Sequence, residues 1–140
     1  MELYQLLLTD KWQPEPSQTG LIYHNLGWVY DNLGEKQKAL GYYEQALQIY
    51  REVGDRVGEG MTLWNIGALY FERSRYNVAL ACFLLATGIF EEVQSPNRDK
   101  VQGWVDGLHR KVGEKRFTAL LAQIESQAYQ IVERALREGL

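Results

Sequence analysis

Two apolar stripes set the pattern of this chain. Tyr23, Leu26, Gly27 and Tyr30 fall at i, i+3, i+4 and i+7, and Ala39, Tyr43, Ala46 and Tyr50 form a second stripe at helical spacing. Each predicts an amphipathic helix. Leu33-Gly34-Glu35 separates them, with Gly34 suited to the left-handed conformation that stops a helix. Gly54 and Asp55 supply the next stop and an N-cap. The whole unit then recurs. Asn25-Leu26-Gly27 and Tyr30 return as Asn65-Ile66-Gly67 and Tyr70, Ala39-Leu40 as Ala79-Leu80, and Ala46, Ile49 and Val53 as Ala86, Ile89 and Val93, each at an offset of 40. The chain reads helix, turn, helix, twice over.

Residue size within the stripes indicates how the helices meet. Gly27, Ala39 and Ala46, like Gly67, Ala79 and Ala86, carry little or no side chain, so paired helices can approach at the short end of the roughly 8–10 Å interaxial range. Tyr30 and Tyr43 fill the space beside them. A lone hairpin of this kind leaves an apolar flank that the next hairpin covers, so the units stack into a right-handed curve with a concave inner wall. The expected fold is an all-α, right-handed α-solenoid of antiparallel helix hairpins with about seven helices. Residues 1–140 form a single domain: 1–16 a short helix and linker, 17–56 the first unit, 57–96 the second, and 97–140 a degenerate third unit with a C-terminal capping helix.

The ends depart from the pattern. Continuing the 40-residue spacing puts Asp106 where a Leu belongs and Arg110 where a Tyr belongs, although Gly107 meets the small position. The stripe actually present is Val101, Trp104, Val105, Leu108 and Val112, which suits a helix shifted by one or two residues through Ser95-Pro96-Asn97. Gly113 ends it. Phe117 to Leu136 then reads as one long helix with Leu120, Leu121, Ile124, Ala128, Ile131 and Ala135 on one side, a terminal cap. At the other end, Leu3, Leu6 and Leu7 suit a short helix that Pro14 and Pro16 separate from Ser17, the expected N-cap of the first unit. That segment is either a cap on the stack or the remnant of an earlier repeat.

Composition narrows the functional classes. The net charge is −3, with no basic excess to draw the chain to phosphate backbones or anionic lipid, so neither nucleic acid nor membrane is expected as a partner. Cys82 is the only cysteine, which excludes an intrachain disulfide and suits a reducing compartment. The first residues lack a basic region and a long apolar run, so a cytoplasmic location is expected.

The pattern Tyr23-x-x-Leu26-Gly27-x-x-Tyr30, Ala39-x-x-x-Tyr43, Ala46 resembles the signature of tetratricopeptide repeats, and Leu63-x-x-Ile66-Gly67-x-x-Tyr70, Ala79-x-x-x-Phe83, Ala86 repeats it. The family's usual period is about 34 residues with a closing proline. Here the spacing is 40, and Arg51 or Glu91 stands near the proline's place, which is similar to the longer-helix variety of kinesin light chains and many bacterial signalling proteins.

The resemblance implies that the first helix of each unit lines a concave groove. Its ligand-facing positions map onto Leu21, His24, Asn25, Trp28 and Asp31 in the first unit and Met61, Trp64, Asn65, Ala68 and Phe71 in the second. Trp104 belongs to the groove or to the core according to the register of the third unit. Large apolar side chains on a wet surface point to a peptide-binding role, with Trp28, Trp64 and Phe71 as pockets and Asn25 and Asn65 as backbone anchors. The competing reading is that a neighbouring or terminal helix covers the tryptophans as core. One subfamily clamps a ligand's C-terminal carboxylate with lysine, asparagine and arginine at these positions; His24 and Trp28 stand there instead, so a more apolar ligand is expected.

Catalytic candidates are few. His24, His109 and Cys82 lie in three different predicted helices, a poor arrangement for the three or four converging ligands of a zinc site. Cys82 has no basic partner in view. Gly54-x-x-x-Gly58-x-Gly60 follows a helix rather than a strand, which makes it an inter-repeat turn and not a phosphate loop. The sequence therefore predicts a non-enzymatic scaffold without metal or cofactor that binds a protein or peptide. A self-associating homodimer or stack, or a non-catalytic fragment of a larger signalling protein, is the alternative.

Overall fold

The computed structural model describes residues 15–140, and the predicted N-terminal helix at Leu3, Leu6 and Leu7 lies outside the described residues. The described residues form α1 (Pro16–Asn32), α2 (Lys36–Val53), α3 (Arg56–Glu72), α4 (Tyr76–Glu92), α5 (Asn97–Val112), α6 (Glu114–Ile124) and α7 (Ala128–Glu138), with no strand among them. Successive helices pair into hairpins, α1 with α2 and α3 with α4, and the hairpins stack through α2 against α3 and α4 against α5.

Glycines on the first helix of each hairpin receive aromatic rings from the second. A Cβ on Gly27 would lie 2.6 Å from the Tyr43 ring, and one on Gly67 2.6 Å from Phe83. The same exchange occurs a turn or two earlier, where Gly20 faces Tyr50 and Gly60 faces Phe90 at 2.8 and 2.7 Å. Tyr50 also fills the space over Gly58 of the next hairpin, 2.6 Å from its missing Cβ. Gly58 and Gly60 are thus packing residues inside α3, and only Gly54 occupies the inter-repeat turn expected of all three.

Helix ends follow local chemistry. α1 begins with a capping box in which Gln18 Oε1 accepts from the Glu15 amide at 2.9 Å, while Pro16 holds the first turn, so the cap is Glu15 and not Ser17. The Asp55 side chain caps α3 by accepting from Gly58 N at 2.9 Å. Gly34 and Gly54 turn left-handed at φ 80° and 75°; forty residues on, Ser74 and Gln94 take the same conformation at φ 59° and 55°.

The third unit is out of step with the first two. Val101, Val105 and Leu108 are buried, Asp106 is exposed, and Gly107 has no close neighbour that its lack of a side chain would serve. The expected long C-terminal helix is two helices, broken at Glu125-Ser126-Gln127. The break lets α7 fold back along α4, burying Val132, Ala135 and Leu136, which a straight continuation of α6 would carry away. With α3, α5 and α7 packed around it, α4 is buried from Val78 to Phe83 without interruption.

Polar ties hold α7 across both hairpins. The Tyr70 hydroxyl donates to Ala135 O at 3.0 Å, and burial pushes that phenol up to about 12. Arg51 pairs with Glu133 of α7 at 2.6 Å and with buried Glu59 of α3 at 3.3 Å, and lies 4.7 Å over the Tyr129 ring. Arg51, near the place of the missing proline, is the joint between both hairpins and the terminal helix.

Candidate functional site

α7 packs along α4 and meets α2 through the Arg51–Glu133 pair and α3 through Tyr70. Leu21 and Trp28, seven residues apart on one face of α1, are 52% and 59% exposed, so the terminal helix does not cover Trp28 as core. Asn25 stands half-buried between them, and among the described residues its side chain makes no hydrogen bond. On α3, Trp64 and Ala68 are half-buried at i and i+4, with Trp64 resting its inner edge on the core. Leu21, Asn25 and Trp28 thus share one face of α1, and Trp64 and Ala68 one face of α3.

The other expected groove residues are already engaged. His24 joins the helices, its Nδ1 3.0 Å from Thr62 Oγ1 and its Nε2 3.1 Å from Asn65 Nδ2. Thr62 donates its own hydroxyl proton to Gly58 O at 2.8 Å, so its oxygen is free to accept from His24 Nδ1–H, and Nε2 then accepts from the Asn65 amide. The neutral imidazole satisfies every partner. Burial also lowers the His24 pKa from its usual value. Asn65 is therefore a clip between the hairpins rather than an open backbone anchor.

Asp31 is held by Lys36, which also reaches Glu72 at 3.1 Å, and the hydrogen bond to Asp31 raises the ammonium above the usual lysine range. Met61 Sδ accepts from Asn97 Nδ2 at 3.4 Å, tying α3 to α5. Phe71 packs edge-to-face against Trp104 and Tyr76, with ring centres 6.0 and 5.6 Å away. Trp104 itself is 39% exposed and touches Phe83 as well, so it is a wedge between α5 and α3 with one edge in solvent.

Leu21, His24, Tyr50, Asp55, Val57, Gly58 and Met61 enclose a recess of about 250 Å³ at the start of α3. Exposed Val57 and Leu21 form its rim. The signal is slight in sequence, since Val57 falls just after the cap, where no helical stripe has yet developed.

Among the described residues no three His, Cys, Asp or Glu side chains gather as a metal site. Burial pushes the Cys82 thiol up to about 12, which keeps it protonated and unreactive at neutral pH. No helix of the described residues is long and apolar enough to cross a membrane.

Comparison with known families agrees with the hairpin geometry. Residues 19–53, which span most of α1 and all of α2, match the family described as tetratricopeptide repeat. No curated protein and no solved structure matches the chain.

Proposed function

We propose that this tetratricopeptide-repeat chain binds a peptide or helix of a partner protein on a strip formed by α1 and α3. Tetratricopeptide repeats generally mediate protein–protein interactions and typically act as non-catalytic scaffolds. The observation that carries the groove reading is Trp28, an indole 59% exposed on a face of α1 that also carries exposed Leu21. Leaving a tryptophan in water forgoes the burial that makes it a frequent hot spot of binding interfaces.

The chemistry of the strip describes its ligand. Trp28, Trp64 and Leu21 favour an apolar side chain, and the Leu21–Val57 recess accommodates another. Asn25 offers an amide to the ligand backbone. Asp31 is matched by Lys36 and leaves no free carboxylate to select a cationic ligand. An apolar peptide fits better than a strongly charged one.

The test is affinity capture from a lysate of the native host with wild type and with a Trp28→Ala/Trp64→Ala double variant of confirmed helicity. Loss of one specific protein from the folded variant supports the strip. Capture of the same set by both proteins places binding elsewhere.

A further inference from the structure

Counted as one helix at about 100° per residue, Phe117, Leu120, Ile124, Ala128, Ile131 and Ala135 fall within about 80° of one another. The apolar stripe of α6 thus runs on through α7 without a change of phase, yet the backbone breaks between them. Across the break the Gln127 amide bonds Ile124 O, three residues back, at 2.8 Å, and Ile131 N bonds Gln127 O at 2.9 Å. Among the described residues, the Ser126, Ala128, Tyr129 and Gln130 amides make none of the bonds to carbonyls four residues back that a continuous helix would give them. Glu125-Ser126-Gln127 contains neither glycine nor proline, so the sequence does not forbid that helix.

α7 also sits loosely. Val132, Ala135 and Leu136 are buried, but recesses of about 310, 330 and 350 Å³ flank the helix beside Tyr129, Glu133 and Ile131. Its polar ties to Tyr70 and Arg51 belong to the hairpins and not to α6. We infer that α7 is exchangeable between two copies of this chain. In the dimer the break straightens into one helix over residues 114–138, and α7 of each copy fills the seat on α4 of the other. The exchange is isologous, so each copy regains from the other the contacts that its own α7 gives up. It also forms the helical bonds missing at the break, which one chain alone cannot form without lifting α7 from its seat. The inference rests on α6, α7 and that seat, and is independent of the α1 face proposed above for a partner.

The whole chain, refolded from denaturant over a range of concentrations and followed by light scattering, should give a dimer whose share rises with concentration. A sample refolded from mixed labelled and unlabelled chains then identifies the exchange. Methyl contacts between Ile131 and Val78, which line one recess, should pass between copies in the dimer and stay within one chain in the monomer. A chain that remains monomeric up to its solubility limit would overturn the inference, as would a dimer in which these contacts stay within one chain. A Ser126→Gly/Gln127→Gly variant should weaken the dimer about tenfold or more, because glycine opposes the continuous helix, whereas Ser126→Ala/Gln127→Ala should tighten it. Equal or reversed dimer strengths in the two variants would also overturn it, and the mixed-label measurement on the unaltered chain decides even if a variant fails to fold.

Discussion

The Cβ that Gly67 lacks would stand 2.6 Å from Cε1 of Phe83, so the second hairpin closes only because that position has no side chain. The ring is completely buried and cannot swing into solvent. Gly67→Leu should therefore force α3 and α4 apart and cost about 1–3 kcal/mol or more. A thermal melt followed by circular dichroism checks this, and an unchanged midpoint would refute the pairing.

Tyr43, the ring in the matching place of the first hairpin, carries a buried hydroxyl that has no hydrogen-bond partner among the described residues. Burial, chiefly, raises its phenol well above the usual range. Tyr43→Phe should be neutral or stabilising by about 1 kcal/mol, because phenylalanine removes an unsatisfied polar group and already fills the equivalent site at Phe83. Tyr70→Phe should do the reverse, losing the bond to Ala135 O that holds α7. Chemical denaturation of the two variants side by side distinguishes the hydroxyls.

Ser74 and Gln94 adopt a left-handed backbone that glycine accepts without steric cost. Because Gly34 and Gly54 serve at the same points of the first unit, Ser74→Gly and Gln94→Gly should each stabilise by about 1 kcal/mol. Gly34→Ser should destabilise by a similar amount. Denaturant midpoints of all three variants give the signs directly.

Much of this architecture was legible in the sequence because the repeat pins it twice. The 40-residue offset located Gly27, Gly67 and the aromatic partners, and the small residues fixed the pairing. Three features were not legible, for identifiable reasons. The break before α7 occurs at Glu125-Ser126-Gln127, which contains neither glycine nor proline, and arises where α7 gains burial by turning back over α4. Gly58 looked like a turn residue because the ring it accommodates, Tyr50, belongs to the preceding hairpin. The engagement of His24 and Asn65 was hidden because their partners lie 38 and 41 residues away, across a helix interface that periodicity alone does not resolve. Of the expected groove residues, Leu21 and Trp28 are exposed and Asn25, Trp64 and Ala68 half-buried, while His24, Asp31, Met61, Asn65, Phe71 and Trp104 contact other side chains of the scaffold.

His24 should make stability fall in mild acid. Its folded pKa lies below the unfolded value of about 6.5, so its contribution is fully present above that value and is lost as pH falls through the folded pKa. Protonation would place an N–H against the Asn65 amide and disrupt the clip between α1 and α3. Melting temperatures of wild type and His24→Gln between pH 7 and 5 should show the steeper decline in wild type. Parallel curves would mean that His24 does not carry the dependence.

The most direct test of the binding strip is hydroxyl-radical footprinting of side chains with and without the captured partner. The account predicts that oxidation of Trp28, Leu21 and Trp64 falls sharply on binding while Tyr129, exposed on α7, is unaffected. Protection of Tyr129 with Trp28 unchanged would contradict it and move the interface to α7.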